Sequence, residues 1–328
     1  MGQGIVRLSI VGCGFIGAKR AAAVGPHEIA VVCDRDGSRA DDLARRVGAR
    51  ATPDWREAVE ADVDAVIVAT THDQLAIVAR GAAEAGRHVL VEKPAGRNVD
   101  EVRPIAEAAS ARGLVVKVGF NHRFHPAFQK ARQIIDDDGL GPLMSIRGRY
   151  GHGGRVGYEQ EWRCQPEISG GGELIDQGSH LIDLARWFLG DLSLEYAAVP
   201  TFFWDIPVDD NCFLALSSKS GQIAWLHASW TEWKNIFSFE IAGRNGKLAI
   251  DGLGGSYGVE RLTYYRMLPG MGPPETTAWE YPFPDRSWHA EFDDFAAAIR
   301  DGRRPCGDIF DAIANLEIVD QIYRSRRT

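Results

Sequence analysis

Several features that would assign a function class at once are missing from this chain. Its five cysteines, at positions 13, 33, 164, 212 and 306, make no CxxC pair and no ligand-like spacing, and their number is odd. A disulfide framework is therefore not expected, and a reducing cytoplasm is. No run approaches the roughly 18 apolar residues that a membrane span needs. The first apolar run, IVRLSIVGCGFIG, has no basic leader and reads as a strand entering a turn, not as a signal peptide. Positive charge is not in excess: 37 Lys and Arg stand against 45 Asp and Glu, a net charge of -8. That excludes the basic footprint of a nucleic-acid binder. Neither nucleic acid nor a membrane is an expected partner. Internal repeats and low-complexity segments are also lacking.

What the chain has is length and a rhythm. Its 328 residues exceed what one domain commonly holds, so two are expected. In the first third, the apolar runs RLSIVG, IAVVCD, AVIVAT, HVLVEK and LVVKVG alternate with helical stretches that begin near Ile16, Ser38, Gln74 and Val99. Continuous apolar strands in β-α-β order imply a parallel sheet covered on both faces. From about Asn121 the texture changes. A helix over Pro126 to Ile135 is followed by runs that alternate, CFLALSS, QIAWLHASW, FSFEIAG and KLAIDG, and these imply an antiparallel or mixed sheet. Two helical stretches close the chain between Trp288 and Arg324. The expected domains are 1–120 and 121–328, with the C-terminal helices as candidates to pack back on the first.

Chemistry enters with Gly12-Cys13-Gly14-Phe15-Ile16-Gly17, placed directly after a strand and opening a helix. One glycine serves a tight turn, one lets the backbone approach a pyrophosphate, and one allows helix to pack closely on strand. The phosphate then meets the helix N-terminus. The second strand ends in Asp34, where a carboxylate can bridge the ribose hydroxyls of an adenosine. This pattern predicts a dinucleotide site that favours NAD, since Asp34 would repel a 2′-phosphate. Arg35, just beyond, keeps NADP open, because a guanidinium there could stack on adenine or grip that phosphate.

Two further stretches stand out. Glu92-Lys93-Pro94 closes the fourth expected strand, at the sheet edge where open α/β folds hold ligands. Residues 170 to 187, GGGELIDQGSHLIDLARW, read as an amphipathic helix. At about 100° per residue, Leu174, Leu181, Ala185 and Phe188 share one side, and Asp176, His180, Asp183 and Trp187 the other. Such a polar stripe is either a solvated face or the wall of a cleft.

These three separated motifs, in this order, resemble the Gfo/Idh/MocA oxidoreductases, the family of glucose-fructose oxidoreductase and inositol dehydrogenase. The resemblance implies an α/β fold: an N-terminal Rossmann domain with a doubly wound parallel sheet, and a C-terminal α+β domain with a large open, mostly antiparallel sheet. It also implies hydride transfer between a nicotinamide and a ring carbon bearing a hydroxyl. By the family's pattern, Lys93, Asp176 and His180 surround the reacting carbon, and the Lys93–Pro94 peptide is cis. Asn121-His122-Arg123-Phe124 resembles the segment that joins the two domains. The expected cofactor contacts are Gly12, Gly14, Phe15, Ile16, Gly17, Asp34, Arg35, Thr70, Glu92, Lys93, Pro94 and Asn121. One departure concerns Thr70-Thr71-His72-Asp73, which lacks the family's usual proline, with Leu75 in place of the usual histidine.

The chemistry of the residues agrees. Oxidising a secondary alcohol needs a base near the hydroxyl and a positive group for alkoxide character. His180 suits the first role and Lys93 the second, while Asp176 would orient the imidazole or hold a neighbouring hydroxyl. Helical spacing would let Asp176 and His180 share a metal, but no third ligand is evident and none is expected. Residues 147 to 164, a glycine-rich loop with Arg155, Tyr158, Trp162 and Arg163, suit a polyhydroxylated ring, free or linked to a nucleotide diphosphate. The substrate is a sugar, a cyclitol or a nucleotide sugar, and Lys93, Arg155, Tyr158, Trp162, Asp176 and His180 are its expected contacts. His125, Asp210 and His227 are either pocket residues or ordinary polar positions. Trp225, Trp230 and Trp233 either pack internally or cover a sheet face through which the resemblance implies a homodimer or homotetramer. A non-catalytic NAD(P)-binding regulatory protein is the reading of another class.

Overall fold

The computed structural model describes residues 4–270 and 272–325. They form two compact units. One takes the chain up to Phe120 together with Trp288–Leu316; the other takes Asn121–Ser287 and the residues from Glu317 on.

The first unit holds six strands: β1 (Arg7–Val11), β2 (Glu28–Cys33), β3 (Arg50–Thr52), β4 (Ala65–Val68), β5 (His88–Val91) and β6 (Val116–Val118). Their order is β3-β2-β1-β4-β5-β6, and every pairing is parallel. The helices are α1 (Phe15–Ala23), α2 (Gly37–Val47), α3 (Trp55–Glu60), α4 (His72–Glu84) and α5 (Val99–Ser110). This is the doubly wound sheet that the apolar runs imply. Leu8, Ile10, Ile67 and Leu90 are fully buried, and at about 1.5–3 kcal/mol for each such side chain they anchor the core. Phe292 and Phe295 of α9 (Ser287–Asp301) belong to the same cluster. Strand order reverses between β1 and β4, and ligands of open α/β sheets bind beside such a reversal. Glu92-Lys93-Pro94 follows β5, the fifth strand and not the fourth. The three-residue β3 and six-residue α3 are too short to show a period in the sequence.

The second unit holds β7 (Leu143–Gly151), β8 (Leu192–Ala198), β9 (Asn211–Ser218), β10 (Ile223–Ser229), β11 (Ile236–Gly243), β12 (Gly246–Asp251), β13 (Glu260–Arg266) and β14 (Glu275–Tyr281). The sheet order is β14-β13-β12-β11-β7-β10-β9-β8, antiparallel except for the pair of β7 with β10. Its helices are α6 (Pro126–Asp136), the single turn α7 (Pro166–Ser169) and α8 (Ser179–Leu189); α10 (Ile309–Ser325) closes the chain. Alternation sends Phe237, Phe239 and Ile241 of β11 inward, where Phe128 of α6 packs on Phe237 and Phe239 with ring centroids 5.8 and 5.4 Å apart. Gly148 keeps β7 clear for Leu226, Phe239 and Leu181, which a Cβ there would meet at 3.1–3.2 Å.

The expected loop 147–164 needs correction: its first five residues belong to β7, an inner strand of the sheet. Arg147 and Arg149 face solvent while Ile146, Gly148 and Tyr150 face inward, and the glycines hid that alternation. The tryptophans divide: Trp230 is fully buried, while Trp225 and Trp233 are exposed.

One charge pair ties the second unit together. The Arg123 guanidinium donates to both Asp183 carboxylate oxygens, at 2.9 and 2.6 Å, and both side chains are buried. Asp183 is thus a structural member of the polar stripe. Arg123→Leu removes the guanidinium that faces this buried carboxylate, and should cost about 3–5 kcal/mol in denaturant unfolding. The double variant with Asp183→Leu should recover part of that loss.

Candidate active site

The cofactor end is built from close backbone contacts. Gly12 has φ +99°, and a Cβ on it would strike the Ala69 carbonyl after β4; one on Gly17 would strike the Gly12 carbonyl. Gly14, between them, faces open space. Gly14 also serves as the N-cap of α1 and offers no side-chain cap, so the first N–H groups of that helix remain ready for an anion. Phe15 is three-quarters exposed on this first turn, and Ile16 is half-buried.

The Asp34 carboxylate accepts the Cys13 N–H at 2.8 Å and the Asp36 N–H at 2.9 Å, which fixes it against the glycine turn. Arg35 is exposed beyond it. Thr70 follows Ala69, its hydroxyl donating to the Thr71 carbonyl at 3.2 Å. Leu75 is fully buried in α4, a core position. After β5, the Lys93–Pro94 peptide is cis, and Ala95 has φ +73°. These residues fit a dinucleotide: an uncapped helix start, a glycine with room in front of it, and a carboxylate fixed beside the turn.

In the second unit, residues 170 to 187 are not one α-helix. Leu174–Gly178 is a π turn that leads into α8. The wider turn carries one more residue than α-helical spacing allows, so the equal-angle placement of Asp176 and His180 does not hold. The Ser179 hydroxyl lies 2.9 Å from the Ile175 carbonyl and 3.0 Å from that of Asp176, tying the π turn to the start of α8.

Two of the preceding glycines make room for neighbouring groups. A Cβ on Gly171 would strike the Tyr323 hydroxyl, and one on Gly172 the Asp209 carbonyl. Buried Asp209 organises this turn: its carboxylate accepts the Leu174 N–H at 2.8 Å, the Gly172 N–H at 3.2 Å and the Tyr323 hydroxyl at 2.8 Å. Burial raises its carboxyl above the ordinary value, and these donors oppose the rise.

The stripe is buried and not solvated: Asp176, His180 and Asp183 all lie below one-tenth exposure. His180 meets the His122 ring edge to face, with centroids 3.8 Å apart, and Tyr150 stands 6.2 Å away. Asp176 receives the Arg163 guanidinium, Nε to Oδ2 at 3.2 Å, and that guanidinium lies 4.5 Å over the Trp162 ring. Gln177 donates to the Tyr257 hydroxyl at 3.1 Å. Burial pushes the Tyr257 phenol up to about 12, against hydrogen bonds from Tyr150 and Gln177. Burial lowers the His152 imidazole, with Asp176 opposing. The surroundings of Asp176 thus combine the Arg163 guanidinium, the buried Glu173 carboxylate and tyrosine hydroxyls whose ionisation burial disfavours.

The loop residues separate. Arg155 is exposed and ion-paired with Glu161. Tyr158 is not an open pocket residue: only 3% exposed, it packs on Trp230 and Trp204, with centroids 5.1 and 5.5 Å apart. A tyrosine in a glycine-rich stretch gives no sequence sign of being core. Asn121, expected at the cofactor, belongs to the second unit and donates to the Ser287 hydroxyl at 3.0 Å. His125 pairs with Glu260 at 2.9 Å, Asp210 accepts three consecutive backbone N–H groups from Phe202 to Trp204, and His227 stacks on Phe213; all three are structural positions. Sequence reasoning missed His122 and Asp209. The acidic pair Asp209-Asp210 ahead of an apolar strand, and His122 so close to His125, were the available signals. Among the described residues, no three His, Cys, Asp or Glu side chains are grouped to hold a metal.

Comparison with known proteins agrees with this geometry. Residues 6–120 match the model of the oxidoreductase family with an NAD-binding Rossmann fold, and residues 128–249 match the GFO/IDH/MocA C-terminal domain. The chain belongs to the Gfo/Idh/MocA oxidoreductases. It is similar to levoglucosan dehydrogenase of Pseudarthrobacter phenanthrenivorans, 29% identical over 75% of this chain and 73% of that protein. D-xylose 1-dehydrogenase (NADP(+)) 2 of Haloferax volcanii is 28% identical over 97% of both chains. Inositol 2-dehydrogenase of Rhizobium meliloti is 27% identical over 98% of this chain and 96% of that one. A solved levoglucosan dehydrogenase, in complex with NADH and levoglucosan, superposes with a TM-score of 0.89 at 25% identity, covering 98% of this chain and 97% of that one. The protein is an NAD(P)-dependent dehydrogenase of the class that acts on CH–OH groups, and its first unit is the NAD-binding Rossmann domain.

The glycines give a test of the cofactor loop. Gly14→Val should fold with a near-normal Tm yet bind NADH at least about tenfold more weakly, because its side chain enters the space that the pyrophosphate needs. Gly17→Val should fail to fold stably, since its side chain meets the Gly12 carbonyl. Fluorescence titration with NADH and thermal unfolding separate the two.

Proposed function

We propose that the protein oxidises a ring secondary alcohol of a neutral sugar or cyclitol, with NAD as the preferred acceptor. The observation that carries this reading is the buried Asp176 and His180 at the head of α8, in surroundings where each guanidinium already has a carboxylate. Arg163 is engaged by Asp176, and Arg155 by Glu161. A nucleotide diphosphate would need guanidinium groups to meet its phosphates, and would have to break these pairs first. A neutral polyol needs hydroxyl partners, which Asp176 and its neutral neighbours supply.

Each residue has a role in this reading. Gly12, Gly14 and the start of α1 hold the pyrophosphate, and Asp34 takes the ribose hydroxyls, which disfavours the 2′-phosphate of NADP. The nicotinamide, when bound, supplies the hydride acceptor. His180 takes the hydroxyl proton, Lys93 donates to the oxygen as alkoxide character develops, and Asp176 accepts a hydrogen bond from a neighbouring substrate hydroxyl. The His122 ring fixes the orientation of the His180 imidazole. A reducing cytoplasm is the proposed setting, since all five cysteines are free and no helix among the described residues is long and apolar enough to cross a membrane.

The test follows reduced-nicotinamide absorbance with NAD or NADP against inositols, free aldoses and nucleotide sugars. The expected result is turnover of a neutral ring polyol with NAD, falling about 10²- to 10⁴-fold in His180→Ala and Lys93→Met while NADH binding persists. Turnover restricted to nucleotide sugars would overturn the substrate assignment. NADH binding without turnover of any substrate would favour a regulatory role.

Self-association is the second part of the proposal. On the outer face of the second sheet, Ile223 and Trp225 of β10 stand exposed beside the Arg147–Glu240 and Arg149–Glu232 pairs. An exposed apolar strip rimmed by paired charges suits a homodimer or homotetramer interface. Sedimentation of Trp225→Lys should show a shift to monomer relative to the parent chain; a parent that is itself monomeric would remove the proposal.

A further inference from the structure

Arg20 lies in α1, and its guanidinium is 1% exposed. Two carboxylates hold it. Its Nε donates to Glu92 Oε1 at 2.6 Å, with Nη2 also 2.6 Å from that oxygen, and its Nη1 donates to Glu291 Oε2 of α9 at 2.5 Å. The Trp288 ring covers the guanidinium at 4.4 Å. Gly119, just past β6, leaves the space: a Cβ there would meet Arg20 Nη2 at 2.7 Å and Glu92 Oε2 at 2.8 Å. Next to this cluster, fully buried Lys117 pairs with Asp294 at 2.9 Å.

Glu92 is the residue before Lys93. Its backbone N–H donates to the Val68 carbonyl at 2.9 Å, and its carbonyl accepts the Ala95 N–H at 2.9 Å. The main chain is thus fixed on both sides of Lys93 and Pro94, and the Glu92 side chain adds a third attachment to α1, the helix that opens at Gly14. Packing alone does not require this chemistry. Apolar side chains of similar volume would fill the same space without the desolvation cost of three buried charges. What a guanidinium between two carboxylates supplies is direction, because each charge-assisted bond fixes the orientation of its partner.

We propose that Arg20 is a positioning residue for Lys93: by clamping Glu92 between α1 and α9, it holds the lysine segment in register with the cofactor-binding helix. The inference rests on the catalytic role of Lys93. Arg20 touches neither substrate nor the reacting atoms, and it acts through Glu92.

Arg20→Lys keeps the charge and loses the fork, and Glu291→Gln keeps the shape and one hydrogen-bond acceptor. Both are compared with the parent chain and with Lys93→Met. The first reading is the rate of Lys93 acetylation by acetic anhydride, followed by mass spectrometry, with exposed Lys219 and Lys234 as internal controls. The second is kcat and KM for the polyol, beside NADH affinity. In Arg20→Lys, Lys93 should acetylate several-fold faster with the control lysines unchanged, and kcat should fall about 10- to 100-fold, as a small misplacement of a catalytic group does. NADH affinity should stay within about threefold of the parent, since the cofactor loop itself is intact. Glu291→Gln should move both readings in the same direction by less. Variants that fold, acetylate Lys93 at the parent rate and keep the parent kcat overturn the proposal. Where Arg20→Lys does not fold, Glu291→Gln decides by the same two readings. Parent-like activity in Lys93→Met would instead sink the catalytic reading of Lys93, and the acetylation rates would still decide whether Arg20 positions it.

Discussion

The contact on which the first unit depends is backbone against backbone. Gly12 presses on the Ala69 carbonyl, and Gly17 presses on that of Gly12, so the turn after β1, the end of β4 and the first turn of α1 occupy a space that admits no side chains. Such proximity has a functional consequence. It points the free N–H groups of α1 outward over Gly14, while Asp34 takes the Cys13 N–H on the other side of the turn. Relaxing any one of these approaches would move the helix start, and with it the donors and dipole that the proposed pyrophosphate position needs.

The second unit meets a comparable demand with buried charge. A π turn places polar side chains at the head of α8, and a wider turn is intrinsically less stable than an α-helix. Asp209 offsets that by accepting the Gly172 and Leu174 N–H groups and the Tyr323 hydroxyl. Arg123 then pins the next turn through Asp183. The irregular backbone is held at both ends by directional bonds, so Asp176 and His180 project from a turn that cannot slide into ordinary helical register.

Much of this was legible in the sequence and some was not, for identifiable reasons. The parallel sheet was readable because β2, β4 and β5 carry unbroken apolar runs and β1 is broken only by buried Ser9. The alternating β9, β10, β11 and β12 were readable because one face is wet. β3 and α3 were hidden by shortness, and β7 by its glycines. The roles of Lys93, Asp176 and His180 rested on their residue types, their spacing and a resemblance. No period in the sequence could reveal that Asp183 belongs to Arg123, that Gly171 and Gly172 make room for Tyr323 and Asp209, or that Tyr158 is packed against Trp230. Those facts are pairings between residues 37 to 152 positions apart, fixed by tertiary packing that no local pattern encodes.

The charges near Asp176 bear on the proposed substrate. Buried ions are costly, and they persist where removing one partner would be costlier still. Around Asp176 stand one opposing guanidinium, Arg163, the buried Glu173 carboxylate, and aromatic hydroxyls whose ionisation burial suppresses. A substrate bringing its own negative charge would compete with Asp176 for Arg163. A substrate bringing only hydroxyls would leave the pair intact and still be held at several points. Under the proposed function, this pairing favours a neutral alcohol over an anionic one.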